Sequence, residues 1–288
     1  MFLGHDAGIY EKAFDPSISW KERLNRSKRL GFDYVEISID ETDERLSRLD
    51  WTKEQKKQLA VDIWDSGVQI RSMCLSAHRR FPFGSKDQNI RGRAKEIMDK
   101  AIDFAGELGI RVIQLAGYDV YYEDSTPDSI KRFFDGMVYA SERAEKAQVM
   151  LAMEIMDTPF MNSITKHLEY ENKIRSPWYK VYPDIGNLSA WKENNAKKEL
   201  EKGIDSIVAI HLKDTICPDG DFKGVFKGVE FGKGCVDFVE RFKDLNRLNY
   251  KGPFMIEMWY KNGTDDVQEI KKAVDFLTDK YQRSLKQC

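Results

Sequence analysis

Four side chains able to bind a metal or move a proton recur at matching places in the second half of the chain. Glu154 stands in Ala152-Met153-Glu154-Ile155 and Asp184 in Tyr182-Pro183-Asp184-Ile185. His211 stands in Ile210-His211-Leu212-Lys213 and Glu257 in Met255-Ile256-Glu257-Met258. Each closes a short apolar run. Taken singly, each has an ordinary explanation. A strand-end acid often caps a helix or pairs with a base, Asp184 could cap one through Gly186, and a lone histidine is often a satisfied core residue. Taken together they are expensive to bury unless they are paired or hold a cation. Three carboxylates and one imidazole suit one divalent ion of the Mn, Co or Zn type.

Other groups are candidates for holding a substrate. His78-Arg79-Arg80 is a basic turn after a strand-like run, and basic groups at clefts hold anions. Gly232-Lys233-Gly234 precedes a helical stripe of Val236, Val239, Phe242 and Leu245. Free amides at a helix start bind phosphate, so Gly232 and Gly234 are expected to contact a substrate phosphate, with Lys213, Lys223 and Lys227 adding charge. Trp191 and Trp259 could pack an apolar face of a ligand. Glu11-Lys12 reads equally well as a surface ion pair. His5 and His167 read as structural or exposed.

Something must place these groups side by side. Eight runs read as strands: 6–10, 32–39, 69–77, 111–117, 149–155, 180–185, 207–213 and 253–259. Several are apolar with little alternation, as in parallel strands covered on both faces. Stretches of helical period lie between them. The stretch after Asn89 carries Ile90, Ala94, Ile97, Met98, Ala101, Ile102, Ala105 and Leu108 on one stripe. Ser19 with Glu22 and Thr52 with Gln55 read as capping boxes, and Thr126-Pro127 as a helix start. Gly31, Gly67, Gly109, Gly203 and Gly252 precede strands, where left-handed glycines end helices. Strict alternation implies parallel pairing with right-handed crossovers. Eight units in 288 residues predict one closed (β/α)8 barrel over residues 1–288, with its active site at the C-terminal ends of the strands. A doubly wound sheet would show a glycine-rich phosphate loop after the first strand, and Gly8-Ile9-Tyr10-Glu11-Lys12 is not one.

Composition narrows the function classes. The net charge is −2, with 41% hydrophobic and 33% charged residues. That is a globular composition, and it lacks the basic field of a general nucleic-acid binder. No apolar run reaches the roughly 20 residues of a membrane span, and the start, Met1-Phe2-Leu3-Gly4-His5-Asp6, does not read as a signal peptide. Cys74, Cys217, Cys235 and Cys288 lie far apart. They are expected to be free thiols of a cytoplasmic protein.

Longer strings carry a resemblance. Met153-Glu154-Ile155-Met156-Asp157, the run Tyr182 to Trp191, His211-Leu212-Lys213-Asp214 and Ile256-Glu257-Met258-Trp259 resemble the xylose-isomerase-like TIM barrel superfamily. Together with the runs 40–51, 72–82 and 113–122, the chain more closely resembles the L-ribulose-5-phosphate 3-epimerase (L-xylulose-5-phosphate 3-epimerase) family of L-ascorbate utilisation. The resemblance implies that Glu154, Asp184, His211 and Glu257 bind one divalent metal ion (Mn, Zn or Co), and that Glu154 and Glu257 are also the acid–base pair. It implies a small sugar phosphate as substrate, no nucleic acid or membrane partner, and a possible homodimer, to which Tyr121 and Tyr122 could contribute. Relatives acting on unphosphorylated ketoses carry an acid, a histidine and an arginine where this chain has Phe160, Asn187 and Cys217. Those departures fit a differently held, phosphorylated substrate.

The chemistry expected is epimerisation at C3 through an enediolate, with one carboxylate on each face and His211 using one nitrogen for the metal and the other for a supporting hydrogen bond. Three rivals stand beside it. Abasic-site DNA repair on this barrel needs many histidines and a cationic surface, and the chain has four histidines. An aldose–ketose isomerase is a nearer rival. A sugar-phosphate sensor would be free to lose a glutamate, and both are present.

Overall fold

The structure is a computed structural model that describes residues 4–286. Its strands are β1 (Ala7–Tyr10), β2 (Tyr34–Ile39), β3 (Gln69–Leu75), β4 (Val112–Leu115), β5 (Met150–Glu154), β6 (Tyr179–Tyr182), β7 (Ile210–Leu212), β8 (Asp214–Ile216), β9 (Val225–Val229) and β10 (Phe254–Ile256). The α-helices are α1 (Trp20–Arg29), α2 (Asp43–Leu46), α3 (Lys53–Ser66), α4 (Gln88–Leu108), α5 (Pro127–Ala147), α6 (Ile164–Ile174), α7 (Ile185–Ala190), α8 (Ala196–Gly203), α9 (Phe238–Arg247) and α10 (Asp266–Lys286). Eight strands pair in parallel in the order β6-β5-β4-β3-β2-β1-β10-β7. The remaining seam, β6 to β7, is joined by single bridges at Val181–Ile207 and Asp184–His211. The expected (β/α)8 barrel is therefore present, with an antiparallel β8–β9 hairpin added after β7.

The strands face two ways, and alternation decides which residue goes where. Val35, Ile37 and Ile39 join the main core between sheet and helices. Tyr34 and its counterparts Tyr10, Cys74, Ala152, Tyr182 and Met255 fill a smaller core inside the barrel. The interior is tight enough that a Cβ at Gly8 would collide with the Tyr34 ring.

The helix signals act as read, with local differences. Thr52 and Thr126 both form capping boxes. Ser19 caps α1, but Glu22 turns its carboxylate to Arg26 and Arg29 instead of back to the cap. Gly31, Gly67 and Gly109 adopt the left-handed conformation, whereas Gly203 and Gly252 do not. Gln148 and Arg175 supply that conformation before β5 and β6, and Asn249 supplies it before β10 in place of Gly252.

The expectation of four free thiols fails at one pair. Cys217 and Cys235 form a disulfide, with Cα atoms 6.1 Å apart. The hairpin folds back on itself and brings its two ends together, which linear spacing does not reveal. Cys74 is free and buried, and Cys288 lies outside the described residues.

Candidate active site

The barrel brings the four strand-end residues to one point. Glu154 ends β5, His211 lies in β7, Glu257 directly follows β10, and Asp184 caps α7 two residues beyond β6. These four strands are consecutive around the ring. One ligand atom from each residue falls within 4.8 Å of all the others, and all four residues are buried. His211 Nδ1 stands 3.6 Å from both Glu154 Oε1 and Glu257 Oε2. His211 Nδ1, Asp184 Oδ2 and Glu257 Oε2 are buried without a hydrogen-bond partner. Asp184 Oδ1, by contrast, accepts from the Asn187 amide at 2.6 Å.

Native proteins seldom leave buried polar atoms unpartnered. Here three aim into one small space together with the Glu154 carboxylate, which is what a divalent cation of borderline softness would satisfy. The donor set fits such an ion.

The electrostatics agree. Lys213 Nζ lies 3.3 Å from both Asp184 Oδ2 and Glu257 Oε2. Burial alone would lower its ammonium, but Asp184 and Glu257 hold it well above the ordinary lysine range. Burial, with Glu257 and Glu154 nearby, pushes the Asp184 carboxyl above the ordinary carboxylate range despite Lys213. Burial and the carboxylates of Glu36, Glu154 and Glu257 push the Cys74 thiol up to about 12, so it is protonated and inert as a nucleophile at neutral pH.

The acids open into a cleft of about 480 Å³ at the C-terminal end of the barrel, lined by Tyr10, Lys12, Arg79, Tyr121, Lys213, Lys227 and Trp259 among others. Arg79 lies 5.4 Å over the Tyr118 ring and 5.3 Å over Tyr121. Tyr118 in turn donates to Asp157. Lys12 is no surface residue paired with its neighbour. It reaches Asp40, while the buried Glu11 binds Arg45 and Arg48. A second cavity of about 260 Å³, between β9 and α10, shares Trp259 with the cleft but none of the four acid-site residues.

Three expected substrate contacts are placed elsewhere. His78 does not line the cleft. Its Nε2 donates to the Ala94 carbonyl at 3.1 Å and its ring stacks on Phe83. Gly232 and Gly234 do not offer free amides. Asp214 already occupies them, accepting from Gly232 at 2.8 Å, Gly234 at 3.0 Å and Val236 at 3.3 Å. Moreover α9 starts only after Asp237, which caps it with its own side chain. The loop is thus a clasp for a carboxylate of the same chain, not an anion site. Trp191 packs on Phe226 of the hairpin, and Phe160 packs on Phe133 and Tyr170. His5 and His167 are held by Gly252 and Glu171.

Sequence reasoning missed Glu36, Asp157 and Tyr118. Glu36, on β2, accepts from His211 Nε2 at 3.0 Å, with both residues fully buried. A signal was present. In Tyr34-Val35-Glu36-Ile37-Ser38-Ile39 every second residue is polar or aromatic, and those residues turn inward.

Comparison with known proteins agrees with this geometry. Residues 24–280 match the family described as xylose isomerase-like TIM barrel. SgbU of Escherichia coli (strain K12) is 55% identical, covering 97% of this chain and 98% of its own. The L-ribulose-5-phosphate 3-epimerase UlaE of Escherichia coli O157:H7 is 54% identical, covering 94% of this chain and 93% of its own. Among solved structures, an L-ribulose 3-epimerase superposes with a TM-score of 0.76 at 18% identity, covering 98% of this chain and 96% of its own. The 3-keto-D-glucoside 4-epimerase YcjR of E. coli superposes with a TM-score of 0.75 at 17% identity, covering 96% and 99%. These two share the barrel. With the UlaE and SgbU match running nearly end to end, the chain belongs to the L-ribulose-5-phosphate 3-epimerase family of xylose isomerase-like TIM barrels.

Proposed function

We propose that this protein interconverts L-ribulose 5-phosphate and L-xylulose 5-phosphate by inverting C3, with one divalent metal ion held by Glu154, Asp184, His211 and Glu257. The observation that carries this reading is the convergence of four buried ligand residues, three of them with an atom that makes no hydrogen bond, below a cleft lined with basic side chains.

The hydrogen on C3 of a 2-ketose is α to the C2 carbonyl. It is weakly acidic, and its loss leaves a planar enediolate. Inversion needs removal of the proton on one face and delivery on the other. Glu154 and Glu257 come from strands three apart around the ring and reach the same space from two sides, so each can exchange a proton with one face of C3. When bound, the ion supplies a Lewis acid that stabilises charge on the carbonyl oxygen. Lys213, held between two of the acids, adds positive charge at the reacting end.

Arg79 and Lys213 remain substrate contacts in this reading, at opposite ends of the molecule. Arg79 forms no ion pair within 4 Å of a carboxylate among the described residues, and its Nε is buried without a partner. It is suited to the phosphate, with Lys12 and Lys227 also lining the cleft.

The test is substitution of each acid by its amide. Glu154→Gln and Glu257→Gln are each expected to lower turnover of L-ribulose 5-phosphate by roughly 10³-fold. Normal turnover by either variant contradicts the assignment of the acid–base pair.

A further inference from the structure

Glu36 needs an explanation. It lies in the middle of β2 with no exposed surface. Its only ion-pair partner among the described residues is His211, and its Oε2 has no hydrogen-bond partner. A buried carboxylate is costly, and an apolar residue would serve packing better.

The contact fixes a proton. A carboxylate can only accept, so the imidazole nitrogen facing Glu36 must carry the hydrogen. That nitrogen is Nε2. A metal-bound imidazole is neutral and keeps a single N–H, so with Nε2 protonated toward Glu36 it is Nδ1 whose lone pair is free for the ion. Nδ1 is the nitrogen aimed at Glu154 and Glu257. The Tyr182 ring packs against the imidazole, 4.5 Å away and steeply inclined to it.

We propose that Glu36 is a positioning residue for His211. It holds the Nε2–H tautomer and the ring orientation that present Nδ1 to the metal ion, and it makes that nitrogen a better donor. The proposal rests on the metal reading above. A carboxylate behind a ligating histidine typically changes metal affinity by roughly 10- to 100-fold.

Two measurements test it. Zn2+ is titrated into metal-free wild type and Glu36→Gln in competition with a chromogenic zinc chelator. The variant is expected to bind Zn2+ roughly 10- to 100-fold more weakly. The second uses the zinc-loaded wild type with 15N-labelled histidine. The chain has four histidines, so the His211 ring is resolvable by NMR and is expected to show a protonated Nε2 and a metal-bound Nδ1.

Zinc affinity of Glu36→Gln equal to wild type overturns the proposal, even if the variant melts earlier, because that is the signature of a packing role. A protonated Nδ1 in zinc-loaded wild type also overturns it. If Glu36→Gln does not accumulate in folded form, the tautomer measurement decides alone. Failure of the wild type to bind Zn2+ at all removes the metal reading itself, a result distinct from either of these.

Discussion

At the scale of the residue, the barrel sorts polar groups into those that serve the cleft and those that serve the fold. His78 belongs to the second kind. Burial, only partly offset by its bond to Ala94, pushes its imidazole down to about 4 from an ordinary 6.5. Between those values the unfolded chain binds a proton that folded His78 refuses. Stability must therefore fall as the pH drops below about 6.5, and the loss is complete near 4. From pH 7 to pH 5 this single group costs about 2 kcal/mol. Gln can still donate to the Ala94 carbonyl but does not titrate. His78→Gln is expected to narrow the pH 7 to pH 5 difference in urea-unfolding free energy by about that amount, and an unchanged difference would mean that His78 titrates normally in the fold. The candidate ligands were legible in sequence because acids and a histidine closing apolar runs are chemically odd. His78 was misread because its neighbours Arg79 and Arg80 made the turn look like a single basic surface. Glu36 escaped notice because it lies within a strand, where only the two-residue period shows that it turns inward.

At the scale of the element, the β8–β9 hairpin is the feature that periodicity did not announce. Its short strands sit in a glycine-rich stretch that reads as loop. It is anchored at its base twice, by the Cys217–Cys235 disulfide and by the Asp214 carboxylate on the amides of Gly232, Gly234 and Val236. The same glycines resemble a phosphate loop in sequence, since free amides attract any anion; only the fold shows that the anion is Asp214. A Cβ at Gly234 would collide with the Asp214 carboxylate and the Thr215 carbonyl. Gly234→Ala should cost roughly 1–3 kcal/mol in chemical denaturation, as overpacking does. Gly92, exposed within α4 with open space around its Cα, gives the contrast. Gly92→Ala should stabilise by roughly 0.5–1 kcal/mol through helix propensity. Equal effects at the two sites would mean that the clasp is not rigid. Because the hairpin also supplies Lys223 to Lys227 to the cleft wall, Gly234→Ala should raise KM for the sugar phosphate as well.

At the scale of the whole molecule, the eight-strand order and the position of the site were readable because parallel strands, crossover helices and strand-end acids all point to one architecture. The four candidate ligand residues stand within two positions of the strand ends. Strand limits were drawn too long chiefly at the start of β7, where residues 207–209 precede the strand, and at the end of β10, where residues 257–259 follow it. What sequence could not supply is the interior of the barrel. Alternation in β2 marks Glu36 as inward-facing, but the partner it meets, His211 on β7, emerges only in three dimensions.

The central claim is metal-dependent inversion at C3 of a ketose phosphate. It is tested most directly by proton NMR of L-ribulose 5-phosphate with the enzyme in deuterated water, with and without EDTA. The account predicts that L-xylulose 5-phosphate appears with deuterium at C3, that EDTA abolishes the conversion, and that an added divalent ion restores it. Exchange at C1 with formation of an aldose, or C3 inversion that EDTA leaves unchanged, would contradict it.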